Sequence, residues 1–482
     1  MSSSRDPFNP DGIIVVLLFL LTSGFVLLSM AIAYARSRDP LHPLIYIGPM
    51  LLYVYVARPW LLYVTGQLQV WFPDSEKLLF SQFLYSIGTG LFCLGALWGG
   101  RGHKRHRLDS LKFTVSDRVG RNMSWIGCIL GTVSVCAYCY AVFSSGGFAE
   151  VYGSSKAYVS AGSGWINELV NLSIPSVAFL LLSWQGKSRH WQRFALALTC
   201  CSPLLVHGLL GARRGPTFMI LSAMLVSWYL ATSKRVSVFK VLTRFGAIGL
   251  LVIVLMSHRT DIYLGSDFEF DFAKVMENLA PSKVNEADDT VFQYGFVNGI
   301  REHERYLWGV RYFADYFVRP IPRQIWPTKY ADIGLGWMVN QSDIAGLTND
   351  EWRDVLGWVP TRGSAAGFVA DLFFEFSYFG LIGCWLFGWF FGVMWRRAHV
   401  HRGLSILLYI ELAALSIYVP TQSVSAVLYR FLFMLLFTWL IWWLLMNPER
   451  TDLRAVDQNA HSGLRYIIVR APQHDQTTSR TN

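Results

Sequence analysis

Eleven apolar runs, most of them close to the roughly 20 residues that carry a helix across a bilayer, decide what this 482-residue chain can become. They lie at about 12 to 35, 41 to 65, 78 to 99, 122 to 145, 165 to 184, 191 to 210, 215 to 233, 241 to 257, 369 to 395, 404 to 421 and 424 to 446. Inside hydrocarbon every backbone group must find its partner within the segment, so unbroken runs of this kind are read as helices. Only 15% of residues are charged, against about 25% in soluble domains, which excludes a conventional soluble enzyme. The expected fold class is all-α: a polytopic membrane protein of about eleven transmembrane helices with one large external loop carrying short helices. The first run ends in the A-x-A-like Ala31-Ile32-Ala33 but is too long for a signal peptide and follows Asp6 and Asp11, so it is expected to be retained. The seven cysteines fall within apolar runs; Cys136 and Cys139, spaced C-x-x-C, read as small core residues rather than a redox pair.

Lysine and arginine sort cleanly between alternate loops. One side collects 24, including Arg101, Arg118, Lys240, Arg396 and the tail arginines; the other has Arg5, Lys77, Lys156, Arg213 and Arg214. Basic short loops stay cytoplasmic, so the amino terminus is expected outside and the 447–482 tail inside. The organisation that follows is helices 1–8 over 1–257, a large external loop over 258–370, helices 9–11 over 371–446, and the tail. At 113 residues the loop is too long for a connector and is expected to fold. Its Arg301 to Lys329 stretch is basic, and Tyr306, Val310, Phe313 and Phe317 recur at helical spacing, which predicts an amphipathic helix, either at the membrane surface or packed on the loop.

The informative residues are charges inside apolar runs, where each costs roughly 2.5 to 3.5 kcal/mol unless it faces water or a partner. These are Arg58 beside the helix-kinking Pro59, Asp371 and Glu375 four apart on one face, Glu411, and Arg430. The predicted topology puts all but Glu411 in outer halves of their helices. Between the sixth and seventh runs the turn Gly211-Ala212-Arg213-Arg214-Gly215-Pro216 sets two guanidiniums beside a helix N-terminus, with Pro216 expected at its first position. Forked guanidinium donors and unpaired N–H groups together suit a phosphate, and at this depth the phosphate of a lipid-linked substrate. The competing reading is that the pair reaches lipid headgroups.

The Gly-Ala-Arg-Arg-Gly turn, the element Arg319-Pro320-Ile321-Pro322-Arg323-Gln324-Ile325-Trp326-Pro327-Thr328-Lys329, and the stretch from Gly363-Ser364 to Glu375-Phe376-Ser377-Tyr378-Phe379-Gly380-Leu381-Ile382-Gly383 resemble the Wzy-type O-antigen polymerases. The resemblance covers about 170 residues in total and implies a bacterial inner-membrane glycosyltransferase of the multi-helix GT-C type. Such an enzyme polymerises polyprenyl-diphosphate-linked oligosaccharide repeat units at the periplasmic face into O-antigen or a related surface polysaccharide. Its implied partners are the lipid-linked oligosaccharide, membrane lipid, a chain-length regulator and a flippase; no nucleic acid is implied.

On that reading Arg213 and Arg214, then Arg58 and Arg430, hold the diphosphate and stabilise the leaving group. Arg259 adds to them at the end of the eighth helix, while Arg319, Arg323 and Lys329 close over the head group. For the base that deprotonates the acceptor hydroxyl, Glu375 is the first choice, with Asp371 on the same face and His258 or His207 as alternatives. A salt bridge is the competing reading for Glu375. Asp74-Ser75-Glu76 offers a D-x-E, read as a solvated pair rather than a metal site, and neither metal nor cofactor is expected. The alternatives are an O-antigen ligase, which shares the donor, and a flippase of lipid-linked oligosaccharide, which should show the internal repeats that this sequence lacks.

Overall fold

The computed structural model describes residues 10–102, 117–154, 164–183, 190–232, 237–279, 284–286, 288–322, 324–340, 343–361, 364, 366–401 and 403–445. The expected tail after residue 447 and Arg323 lie outside the described residues. Each of the eleven expected runs is helical: α1 Pro10–Ser37, α2 Pro43–Val64, α3 Ser75–Gly99, α4 Asp117–Ser144, α5 Ile166–Leu182, α6 His190–Leu209, α7 Arg214–Thr232, α8 Val238–Ser257, α9 Gly367–His401, α10 Leu404–Thr421 and α11 Val424–Leu445. Eight of them (α1–α4 and α8–α11) are long and apolar enough to cross a membrane, which makes this a helical, polytopic membrane architecture. The remaining three fall short of the eleven crossings expected. The apolar parts of α5 and α6 are shorter, and α7 opens on the polar sequence Arg214-Gly215-Pro216-Thr217. Among the described residues there is no strand, only an isolated bridge between Ile344 and Leu347.

Small residues set how closely the helices approach. Gly95 and Gly99 on α3 meet Gly388 and Gly392 on α9, and a Cβ at any of the four would run into a backbone carbonyl of the other helix. Where lipid removes the hydrophobic drive between helices, such close backbone contact is what packing has to offer. Two cysteines depart from expectation: Cys136 and Cys139 are exposed on α4 rather than buried, and all seven cysteines are free thiols.

The segment between α8 and α9 is built from short helices, and one of them is not a surface element. The helix Asp289–Glu302 is buried without interruption from Thr290 to Ile300. Tyr85 of α3 donates to the Gln293 carbonyl (2.9 Å), Asn298 donates to Ser81 (2.9 Å), and Tyr55, Tyr85 and Tyr294 stack at 5.1 and 5.6 Å. The predicted amphipathic helix is present as Val310–Phe313, continued by a wider π turn, Ala314–Val318. Phe313 and Phe317 point out (53% and 65% exposed), while Ala314, Asp315 and Val318 are buried.

Candidate functional site

Four separated stretches of chain deliver arginines to one cavity of about 1010 Å³. Arg58 arrives on α2, where the helix widens into a π turn, Tyr53–Ala57, just before Pro59. The expected proline kink is taken up by this wide turn, a feature that often marks functional positions. Arg213 and Arg214 come from the α6–α7 turn, Arg259 from the end of α8, and Arg430 from α11. Five guanidiniums face two lining carboxylates, Asp288 and Asp289.

The α6–α7 turn owes its shape to its small residues. Ala212 is buried with φ 45, a left-handed conformation that costs a non-glycine residue roughly 1–2 kcal/mol. The Arg213 N–H donates to the Gly208 carbonyl (2.8 Å), and the Arg213 carbonyl accepts from the Thr217 hydroxyl (2.9 Å). α7 starts at Arg214, so Pro216 is its third residue and not its first. Gly215 lies so close to the Tyr418 hydroxyl that no Cβ fits there, which seats the two arginines against α10.

Each carboxylate holds a particular cation. Asp288 caps the helix Asp289–Glu302, accepting from Thr290 N–H (2.8 Å) and Val291 N–H (3.3 Å) with one oxygen and from Arg58 (2.7 Å) with the other. Arg58 also donates to the carbonyls of Asn278 (2.8 Å) and Leu279 (2.9 Å), so it ties two loop helices to α2. Asp289 accepts from Arg214 at 2.5 Å yet stays 44% exposed to the cavity. Behind the wall the buried Glu168 of α5 lies 3.7 Å from Arg430 and 3.1 Å from Arg319, and also accepts from Asn171 (2.7 Å). Arg430 stacks over the Tyr418 ring at 5.0 Å. Arg259 shows what the crowding of cations does: burial, then the Arg213 and Arg214 charges, pull its guanidinium below the ordinary value against the opposing effect of Asp289. Its Nε is buried and makes no hydrogen bond among the described residues.

Apart from His207, the other described sequence candidates lie outside the cavity lining. Glu375 and Asp371 both grip Arg311: Glu375 accepts from Arg311 Nε at 2.6 Å and from Gly309 N–H at 3.1 Å, while Asp371 accepts from the other end of the same guanidinium. Asp371 further accepts from the Tyr312 hydroxyl (2.8 Å) and the Val424 N–H (2.8 Å). The two carboxylates thus anchor the Val310–Val318 helix and the start of α11. His258 is fully buried; its Nε2 accepts from Asp271 N–H (3.0 Å), which leaves Nδ1 to donate to the Val254 carbonyl (3.1 Å), and Phe270 stacks on the ring. Lys329 is buried and donates to the carbonyls of Val318, Arg319 and Ile321. It pins the proline-rich turn and does not reach the cavity. Arg319 lies over Tyr429 at 4.4 Å and approaches the site only through Glu168. Glu411 is buried on α10, accepting from Thr438 (2.6 Å). Asp74 caps α3 through the Glu76 N–H (3.0 Å), and Glu76 pairs with Arg301 (2.8 Å), so the D-x-E is a helix start. His207 does line the cavity, with Nδ1 3.3 Å from the Tyr152 hydroxyl.

Asp288, Asp289, Glu168 and Tyr418 were not singled out in the sequence. For the first two a signal existed: Asp288-Asp289-Thr290 ahead of an apolar stretch is a helix-start pattern. Glu168 and Tyr418 carry no local signal. Comparison with protein-family models, with curated proteins and with solved structures gives no match.

Proposed function

We propose that this chain is a GT-C-type glycosyltransferase of the bacterial inner membrane. It uses polyprenyl-diphosphate-linked oligosaccharide as donor and extends a surface polysaccharide at the periplasmic face. The observation that carries the reading is the convergence of Arg58, Arg213, Arg214, Arg259 and Arg430 on one cavity bordered by apolar helices. Breaking a glycosyl–diphosphate bond leaves negative charge on the departing diphosphate, and fixed cations in a poorly solvated site lower the barrier for that step. Arg213, Arg214 and Arg259 bind the diphosphate; Arg430, held by Glu168 and Tyr418, completes the ring; Arg58 orders the loop helices around it.

The acceptor hydroxyl must lose a proton. Asp289 is the carboxylate best placed to take it, since it opens onto the cavity and Arg214 holds it at one oxygen. Asp371 and Glu375 then serve as scaffold, keeping Arg311 and its helix in place. An O-antigen ligase would use the same donor, and the acceptor separates the two.

The test is incubation of the purified protein with a lipid-diphosphate oligosaccharide, without nucleotide, and separation of the glycans by size. Longer glycans in the wild type, and their loss in Arg213→Ala and Arg214→Ala proteins that still melt normally, are the expected result. No glycan transfer by the folded wild type to either a second repeat unit or a lipid A core acceptor would sink the reading.

A further inference from the structure

The cavity is longer than its cationic end requires. On α8 the lining residues are Leu242, Phe245, Gly246, Gly249, Val252, Ile253 and Met256, recurring every three or four positions and so forming one face. From Leu242 to Met256 that face runs about 21 Å at 1.5 Å per residue, some two-thirds of a hydrocarbon core about 30 Å thick. On α2 the lining residues Tyr46, Pro49, Met50, Tyr53 and Val54 make a matching stripe. Both stripes run from an apolar start to an arginine, Arg259 on one and Arg58 on the other. The space has the shape of an amphiphile with its charge at one end.

Gly246 and Gly249 stand out within this face. A Cβ built on either meets nothing within 4 Å, whereas a Cβ on Gly48, Gly95, Gly99, Gly388 or Gly392 would strike a neighbour. Those five serve helix packing; Gly246 and Gly249 do not. Glycine inside a helix is unfavourable for folding, so a pair of them facing an open channel is explained by the room they leave.

We propose that this arm seats the hydrocarbon chain of the lipid-linked diphosphate, with Gly246 and Gly249 keeping the channel open. The inference rests on the reading that the arginines hold a lipid-borne diphosphate and adds where the chain lies and which residues admit it. A Cβ at either position enters open space, so leucine can be attached there without displacing backbone and the variants should fold.

The experiment measures binding of two probes, a long-chain polyprenyl diphosphate and the short, water-soluble geranyl diphosphate, to full-length wild type, Gly246→Leu, Gly249→Leu, the double variant and Arg213→Ala, with phosphatidylglycerol as competitor. The expected result is at least a tenfold loss of long-chain affinity in the double variant, with geranyl diphosphate affinity within threefold of wild type and an unchanged melting temperature. Arg213→Ala should weaken both probes. Undiminished long-chain binding in the double variant would overturn the tail assignment while leaving the diphosphate site standing. Equal loss of both probes would overturn it too, because the glycines would then be supporting the cationic end. Competition by phosphatidylglycerol as strong as that of the polyprenyl diphosphate would make the arm a seat for ordinary bilayer lipid. Failure of wild type to bind either diphosphate would instead remove the functional reading beneath it.

Discussion

Glu375→Gln distinguishes a catalytic carboxylate from a structural one. Arg311, Asp371 and Glu375 have side chains 14%, 4% and 0% exposed, so one cation and two anions sit away from water. Burial works against the charged guanidinium, but the two carboxylates outweigh it and raise Arg311 above its ordinary value. Glutamine keeps an oxygen for Arg311 Nε but turns an amide N–H₂ toward the Gly309 N–H, which then has no acceptor. Hydrogen bonds to charged groups contribute about 1.5–3 kcal/mol each, offset in part because one fewer charge is buried, so the expected net loss is about 1–3 kcal/mol. Arg311→Met is harsher: it leaves two carboxylates without their shared cation, at a cost of about 3–5 kcal/mol. In that background Glu375→Gln removes a repelling charge and should raise stability. The same substitution therefore destabilises the wild type and stabilises Arg311→Met, a sign reversal that only direct coupling produces. Thermal unfolding of the four detergent-solubilised proteins measures the cycle, and glycan extension well below the melting point measures the chemistry. A Glu375→Gln protein that melts like wild type yet works about 10²–10⁴-fold more slowly would make Glu375 the base and refute the scaffold assignment.

Arg213→Lys and Arg214→Lys should each keep a fraction of donor binding, since lysine preserves charge but not the fork; wild-type affinity in both would show that bulk charge suffices. Asp289→Asn should lower the rate constant by about 10²–10⁴-fold while polyprenyl diphosphate binds as well or better, because a negative charge leaves the site; a rate within tenfold of wild type would remove Asp289 as base. Gly215→Ala should weaken donor binding by pushing the turn off the Tyr418 hydroxyl, and Tyr418→Phe in the same protein should recover part of the loss; unaltered binding in Gly215→Ala would show that the turn needs no such contact. His42 caps α2 by accepting the Leu44 N–H at Nδ1, and burial, partly offset by Asp39, pushes its ring down to about 4 from 6.5. The unfolded chain then binds the extra proton first, so stability should fall as pH drops from about 6.5 toward 4, by roughly 3 kcal/mol at most. His42→Asn keeps a capping acceptor and should flatten that slope in melting curves taken across the range; an unchanged slope would place the titration elsewhere.

The helices were legible because apolar length is a local property, and each of the eleven runs reappears at nearly its expected bounds. The cation cluster was legible for a related reason: a guanidinium inside an apolar run carries its cost wherever the chain takes it, so Arg58 and Arg430 could be picked without knowing their neighbours, and Arg213 and Arg214 stood out in a glycine-rich turn at a helix start. The roles of the carboxylates could not be read that way. Asp371 and Glu375 pay the same burial cost, but their partner, Arg311, is about 60 residues away and came from an element read only as basic and amphipathic. His258 and Lys329 were misjudged for want of the same information, since their polar atoms are taken up by backbone groups from turns that local pattern does not fix. The long buried helix Asp289–Glu302 was hidden because its polar Gln293 and Asn298 spoil the hydropathy of the run, although the Asn298 amide N–H₂ finds acceptors in Ser81 of α3 and in the Tyr294 carbonyl of its own helix.

That helix explains how a site can hold so many cations before any ligand arrives. Like charges a few ångströms apart repel strongly where water is scarce, and the lowered Arg259 shows that the repulsion is felt. Asp288 and Asp289, carried in together at one helix start, offset it at Arg58 and Arg214, and Glu168 does so at Arg430 from behind the wall. The three carboxylates differ in how firmly they are held. Asp288 is fixed by its capping bonds, and Glu168 is buried between two arginines and Asn171, so both remain when a ligand enters. Asp289 has the most exposure and is paired with Arg214, so on the proposed reading it is the group that an incoming diphosphate displaces. Under the proposed function, that displacement would free the carboxylate as the donor arrives and so couple base activation to donor binding. An Asp289→Asn protein in which donor binding no longer changes the pH dependence of acceptor transfer would agree with that coupling; an unchanged dependence on bound donor would break it.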